Sequence, residues 1–177
     1  MLISVLIPCF NEKKTIEEIV NRINDLKDLN LEIIIIDDNS NDGTKELLKD
    51  KIKDKVSKII FNNKNYGKGY CVKKGIQASN GDAILIQDAD LEYDPSDYPK
   101  LIKPIENGSA DVVYGSRFLG GQYVKLSFFW HYVANKALTT FCNIFTNLNM
   151  TDMETGYKLF KSEAIKSIEL NRLLDRF

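Results

Sequence analysis

The sequence predicts an α/β fold, a single Rossmann-like domain whose mostly parallel central sheet is covered by helices. Three observations lead there. Short apolar, β-branched runs alternate with segments of helical period along the chain. The runs within Glu32–Ile36 and Ile84–Ile86 are apolar on both faces, as strands sandwiched between helices must be. Acidic residues follow two of these runs directly, at the carboxyl edge where open α/β sheets place their ligands.

The first strand is Ile3–Pro8, after which Ile16, Ile19, Val20, Ile23 and Leu26 repeat as a helix covering one sheet face. A second strand, Leu31–Asp37, leads to a shorter helix carrying Leu47, Leu48 and Ile52, and a third strand follows at Lys58–Asn62. The next helix begins at Lys68, presents Val72 and Ile76, and is expected to stop in a left-handed residue near Ser79-Asn80-Gly81. Ala83–Gln87 is the fourth strand. Asp94-Pro95-Ser96 opens a helix over Asp97–Asn107 with Tyr98, Leu101, Ile102 and Ile105 inward, and Asp111–Tyr114 is the fifth strand. After Gly115 the period changes: Gly120-Gly121 reads as a flexible break, and Trp130, Val133, Ala137, Phe141, Ile144 and Leu148 trace one face of a long helix. Packing of that stripe into the core is the first expectation, and an interfacial position on a membrane the second.

With 177 residues, 44% hydrophobic and 28% charged, the composition is that of one globular domain with a real core. A formal net charge of -1 argues against nucleic acid as a partner, since such binders carry a basic surface. Three scattered cysteines, Cys9, Cys71 and Cys142, make neither a disulfide framework nor a zinc spacing, which fits a reducing, cytoplasmic compartment. The start of the chain runs straight into a strand without a basic leader, and no apolar stretch reaches the roughly 20 residues of a membrane span.

Asp88-Ala89-Asp90, at the end of the fourth strand, carries the most chemistry. Carboxylates at i and i+2 on a strand project to one side and can share a cation. Hard oxygen ligands with room left for phosphate suit Mg²⁺ or Mn²⁺, and Glu92 is a possible third ligand. A second acidic corner, Asp37-Asp38-Asn39-Ser40-Asn41-Asp42-Gly43-Thr44, ends the second strand; Asn39 to Thr44 read first as turn and cap residues. Lys68, flanked by Gly67 and Gly69 at a helix entry, suits an anion, and the planar cation of Arg117 suits phosphate oxygens. Glycine-rich dinucleotide and P-loop signatures are missing.

These motifs, with Pro8-Cys9-Phe10-Asn11-Glu12, Asn65-Tyr66-Gly67-Lys68-Gly69 and Gly115-Ser116-Arg117, resemble the family-2 glycosyltransferases, and more narrowly the polyprenyl-phosphate sugar synthases. The resemblance implies a glycosyltransferase A-type fold, with a nucleotide-binding half over about 1–90 and an acceptor half over about 91–177. It implies that Pro8, Phe10, Glu12, Asp37, Asp38, Lys68, Asp88, Ala89 and Arg117 contact a nucleotide sugar, and that Asp88 and Asp90, with Glu92, hold the metal. It also places His131 and Asn135 on the acceptor side and Asp152 and Lys158 near the reaction centre, with Asp90 and Arg117 as further catalytic residues. Asp152 reads as a general base, an N-cap or an orienter of Lys158, the last being favoured. Relatives usually continue further, so a C-terminal extension beyond Phe177 is expected to be missing.

The expected reaction is an inverting transfer of a hexose from GDP-mannose or a UDP-sugar to a polyprenyl or dolichyl phosphate, at the cytoplasmic face of a membrane. A phosphate monoester, with a second pKa of about 6, needs no protein base, whereas an alcohol does. A sugar or protein hydroxyl as acceptor, and a non-catalytic nucleotide-binding module, are the two rivals.

Overall fold

The computed structural model describes residues 1–118 and 129–168. The expected break at Gly120-Gly121 and the chain end at Phe177 lie outside the described residues. Among the described residues the sheet has six strands in the order β3-β2-β1-β4-β6-β5. β1 (Leu2–Cys9), β2 (Asn30–Asp37), β3 (Lys58–Phe61) and β4 (Ala83–Ile86) run parallel. β6 (Lys158–Lys161) runs antiparallel between β4 and β5 (Val112–Tyr114), so the sheet is mixed but mostly parallel.

Alternation along the strands feeds two apolar layers. Val5 and Ile7 of β1, with Ile33 and Ile35 of β2, pack against Ile16, Ile19 and Ile23 of α1 (Ile16–Asn24) and against Tyr98 and Ile102 of α4 (Tyr98–Glu106). Leu6, Ile34, Ile36 and Ile84 face the other way, onto Cys71 and Ile76 of α3 (Lys68–Ala78) and Ile165 of α6 (Ser162–Ser167). Every expected strand is present to within a residue. The expected helix at Leu47–Ile52 is instead one α-turn, α2 (Thr44–Leu47), running into a π-turn over Leu48–Ile52, which still buries Leu48 and Ile52.

One local expectation fails for an identifiable reason. α3 does not end in a left-handed residue: Ser79 is extended and its hydroxyl donates to the Ile76 carbonyl at 2.7 Å. Gly81 is needed for close approach instead, because a Cβ there would lie 2.6 Å from the Ser4 nitrogen. The sequence carries no expectation of a sixth strand, since its four residues are too short and too charged to announce themselves; tertiary pairing with β4 and β5 makes it a strand.

The long helix α5 (Phe129–Thr146) reverses the expectation of core packing. Its buried residues are Asn135 and Thr139, while Trp130 is 75% and Phe145 84% exposed. Asn135, Thr139 and Asn143 recur every fourth residue and each bonds to the segment 150–154. Hydrogen-bonding demand, and not hydrophobicity, turns the helix. Among the described residues no helix is long and apolar enough to cross a membrane.

Candidate active site

Strand order reverses at β1, with β2 on one side and β4 on the other, and the carboxyl ends of β1 and β4 open a crevice there. A cavity of about 340 Å³ fills it. Pro8, Phe10, Glu12, Asp38, Lys68, Asp88, Ala89 and Asp90, distant in sequence, line that one cavity. Asp37 is a correction. In step with Ile33 and Ile35, it lies on the α1 side of the sheet, fully buried and outside the cavity. One of its oxygens accepts from the Ser40 N–H at 3.3 Å, and the other has no hydrogen-bond partner among the described residues.

Asp38 organises the crevice wall. Its carboxylate accepts from the Asn62 amide at 2.7 Å, the Tyr66 N–H at 3.0 Å and the Gly67 N–H at 2.7 Å, so it pins the loop that leads into α3. Burial alone would raise its pKa, but these donors outweigh burial and hold it below the usual carboxylate range. Replacing Asp38 by alanine should cost about 2–4 kcal/mol of stability, read by urea unfolding, because hydrogen bonds to a charged, buried acceptor are lost. A loss under about 1 kcal/mol would show that the loop holds itself. The Cys71 thiol beside it is pushed up to about 12, first by burial and then by Asp38, so it stays protonated. The neighbouring Asn39 to Thr44 are turn and cap residues: Asn39 is left-handed, and Asp42 accepts from the Thr44 N–H at 2.9 Å.

Asp88 and Asp90 share the cavity, but not through the pleat of a strand. β4 ends at Ile86, and the chain turns through Leu91 at φ 63°, a conformation rare for a branched residue. Asp90 accepts the Glu92 N–H at 3.0 Å, closing the turn. Gln87 fixes its base: the hydroxyls of Tyr98 and Tyr157 donate to its carbonyl oxygen at 2.8 and 3.0 Å, and its amide donates to the Asp88 carbonyl at 2.8 Å. Asp88 receives the Lys68 ammonium at 2.5 Å, so this carboxylate already selects a cation. Two hard carboxylates facing an open cavity fit Mg²⁺ or Mn²⁺ with other positions left to phosphate and water. Glu92 is not a third member: it lines a different cavity, and no group of three ligating side chains forms among the described residues.

That second cavity, about 540 Å³, adjoins the first at Asp88 and Lys68. Lys73, Arg117 and Lys158 bring positive charge, Val72, Ile76, Ile86 and Tyr93 bring apolar surface, and Glu92 and Glu154 bring carboxylates. Lys158 sits over the Tyr114 ring, and its pKa is lowered by burial and then by Lys68. Arg117 does not present its whole fork to this space. Its Nε and Nη2 donate to the two Asp152 oxygens at 2.8 and 2.9 Å, and its backbone N–H adds a third bond at 3.1 Å. Asn135 supplies a fourth donor to Asp152 at 2.9 Å and also reaches Glu154 at 3.2 Å. Asp152 therefore orients Arg117, not Lys158, and Asn135 is a support for that pair rather than an acceptor contact. His131 is exposed at the start of α5 and lines neither cavity.

Three site residues escaped the sequence reading. Glu154 lines the second cavity with a side-chain carboxylate, two residues from Asp152. Tyr93 accepts the Gly156 N–H at 2.7 Å. Gly156 itself packs against the Asp88 carboxylate: a Cβ there would lie 2.5 Å from the Tyr93 ring and 2.8 Å from an Asp88 oxygen. Gly156→Ala should weaken Mn²⁺-dependent nucleotide binding about tenfold in calorimetry, the size of effect seen when the support of a metal ligand is disturbed. Unchanged binding would mean that Tyr93 yields without moving Asp88. A Gly between a Thr and an aromatic was the signal available, and by itself it is indistinguishable from a turn.

The sequence profile described as "Glycosyl transferase family 2" matches residues 4–169. A dolichol-phosphate mannosyltransferase of Pyrococcus furiosus is 33% identical over 174 residues, 97% of this chain and 49% of that protein. An undecaprenyl-phosphate 4-deoxy-4-formamido-L-arabinose transferase of Aeromonas hydrophila is 34% identical over 112 residues, 60% of this chain and 34% of that protein. The chain thus spans half or less of the length of these two relatives. Among solved structures, glucosyl-3-phosphoglycerate synthase of Mycobacterium tuberculosis with Mn²⁺, UDP and phosphoglyceric acid superposes with a TM-score of 0.72 at 21% identity, covering 94% of this chain and 57% of that one. A mannosyltransferase of Pyrobaculum calidifontis with GDP-Man and Mn²⁺ gives 0.68 at 18%, covering 94% and 46%. The fold is that of the A-type glycosyltransferases, and the chain belongs to glycosyl transferase family 2.

Proposed function

We propose that this chain is the catalytic domain of an inverting hexosyltransferase that moves a sugar from a nucleotide diphosphate donor to a polyprenyl phosphate, with Mg²⁺ or Mn²⁺. The observation that carries the reading is the pairing of two adjoining cavities of different chemistry. The first offers an exposed aromatic, Phe10, beside Asp38 and the Asp88–Asp90 pair, which suits a base at one end and a diphosphate at the other. The second combines lysines and an arginine with apolar walls, which suits a phosphate on a greasy chain.

A bound divalent cation would neutralise charge on the departing diphosphate. The protein's own part is positioning. Asp88 and Asp90 would hold the cation, Lys68 stands at the N-terminus of α3 where anions are favoured, and Arg117 is locked by Asp152 with part of its guanidinium toward the second cavity. A phosphate monoester is already ionised at neutral pH and attacks the anomeric carbon directly, and single displacement inverts that centre. Asp152 is unsuited to be a base, since its oxygens are taken by Arg117 and Asn135. The outward apolar face of α5, with Trp130 and Tyr132 at its start, supports contact with the membrane that holds such an acceptor.

A hydroxyl acceptor is the second reading, and Glu154 in the second cavity favours it as the base. Purified protein incubated with GDP- and UDP-sugars, Mn²⁺ and either a polyprenyl phosphate or a neutral oligosaccharide separates them. Glu154→Gln should leave transfer to the phosphate within about threefold, whereas loss of a true general base costs roughly 10²–10⁴-fold. Transfer to the neutral acceptor alone, abolished by that substitution, would overturn the polyprenyl phosphate reading. A rise in melting temperature with nucleotide and Mn²⁺, but no hydrolysis of the nucleotide sugar and no transfer to either acceptor, would favour the non-catalytic nucleotide-binding module.

A further inference from the structure

Among the described residues Lys68 and Asp88 are the two that line both cavities, and they are joined by an ion pair of 2.5 Å. We propose that this pair is a cation-operated gate: Lys68 occupies the metal's place on Asp88 until a divalent cation and a nucleotide diphosphate arrive together, and its release joins the donor cavity to the acceptor cavity. The inference rests on the donor-site reading above and adds an order of events to it.

The geometry supports a movable lysine on a fixed carboxylate. Lys68 is largely exposed, whereas Asp88 is mostly buried and its backbone is clamped by Gln87. An ammonium on a long flexible stem exchanges partners readily, while the carboxylate stays where its turn puts it. Lys68 also has a second anionic position within reach of its own helix end. It is the first residue of α3, after Gly67 at φ 88°, where free N–H groups and the helix dipole favour the diphosphate. The cation and the nucleotide each relieve what the other must displace. A cation takes Asp88 and frees Lys68, and the diphosphate gives the freed ammonium a partner. Two ligands that share such a switch bind with positive coupling.

A plug of this kind has a chemical use. With the gate shut, an acceptor phosphate in the second cavity is separated from the donor cavity by the Lys68–Asp88 pair. Opening then places the two reactants in one continuous space only when the leaving group is already neutralised.

The test is Mn²⁺ binding followed by electron paramagnetic resonance in the absence of nucleotide, on wild-type protein, Lys68→Met and Lys73→Met. Lys73 lies further along α3 and lines the second cavity, so its variant reports the effect of removing a charge from that helix. Lys68→Met should bind Mn²⁺ about fivefold or more tightly than wild type, and Lys73→Met within about twofold, as expected for loss of a specific competitor with a typical coupling. Lys68→Met should also bind UDP or GDP more weakly with Mn²⁺ present, so that the coupling between the two ligands falls. Equal Mn²⁺ affinity in wild type and Lys68→Met, with Mn²⁺–nucleotide binding intact, overturns the gate and leaves the donor site standing. An equal gain in both lysine variants also overturns it, since a general field would then suffice. If neither Mn²⁺ nor nucleotide binds any of the three folded proteins, both the gate and the donor-site reading fall. Circular dichroism melts check that the variants are folded.

Discussion

Replacing Asp90 by alanine is expected to lower kcat/KM for sugar transfer by at least about 10³-fold, equivalent to roughly 4 kcal/mol of transition-state stabilisation. The size follows from the charge that must be neutralised. On the proposed reaction a nucleoside diphosphate leaves as a polyanion, and the first cavity offers Asp88, Asp90 and the Lys68 ammonium near it. Without Asp90 the cation would lose one of the two protein ligands proposed for it, and Lys68 would remain on Asp88, which leaves the corner to a single positive charge. Folding should be spared, because the turn around Leu91 is held from behind by Gln87 and its two tyrosines, not by Asp90 alone. Steady-state transfer at saturating Mn²⁺ and a melting curve on the same preparation give the two readings together. Retention of transfer to within about tenfold, with Mn²⁺ still required, would place the cation elsewhere. Glu92→Gln provides the contrast. It should change the rate by less than about threefold, because Glu92 faces the second cavity and is no member of the pair.

The second large effect is on stability and resides in Asp152. Its side chain is fully buried and receives two bonds from the Arg117 fork, one from the Arg117 backbone and one from Asn135. Asp152→Ala should therefore cost about 2–4 kcal/mol, at the low end for a broken buried pair because Arg117 retains some access to water. For a chain of this size that corresponds to a fall in melting temperature of about 6–12 °C. The same contacts set the pH dependence. Burial alone would raise the Asp152 carboxyl, but the hydrogen bonds from Arg117 and Asn135 outweigh it, and the folded value lies below the ordinary one. A depressed folded pKa stabilises the protein above the unfolded value of about 3.9 and loses that contribution as the pH falls through the folded value. The gap in melting temperature between wild type and Asp152→Asn should thus be constant from neutral pH down to about 4 and narrow below it. A gap that narrows already near pH 6 would mean that Asp152 titrates in the range of a general base and would reopen that role.

Both effects depend on contacts that join distant parts of the chain, which sets the boundary of what could be read in advance. The carboxylate corner was legible because short-range patterns carried it: Pro8, Phe10 and Glu12 end or follow one apolar run, Asp38 follows a second and Asp88-Ala89-Asp90 a fourth, and in a parallel sheet the ends of all such runs meet at one edge. Which of two adjacent carboxylates enters the cavity was not legible. Asp37 and Asp38 differ by one residue, hence by one face of the pleat, and the structure sends Asp37 to the α1 side. The second cavity was harder still. Asp152, Arg117 and Asn135 come from a loop, a strand end and a helix, and nothing in their spacing says that the arginine's fork closes on Asp152 instead of on a ligand.

The helix α5 marks the limit most clearly. Periodicity gave its existence, its length to within two residues at either end, and the presence of an apolar stripe, because a helix of fixed pitch repeats in sequence as it repeats in space. Periodicity could not give the direction in which that stripe points. That was decided by partners: Asn135, Thr139 and Asn143 find hydrogen bonds in the segment 150–154, and satisfying them turns Trp130, Phe141 and Phe145 outward. The amino-acid order by itself determined the alternating α/β architecture, the parallel core strands and the carboxylate corner, all of which depend on local period and strand ends. Only the tertiary structure decided the antiparallel insertion of β6, the locking of Arg117 by Asp152 and the outward face of α5, because each depends on a contact between segments that no local pattern encodes.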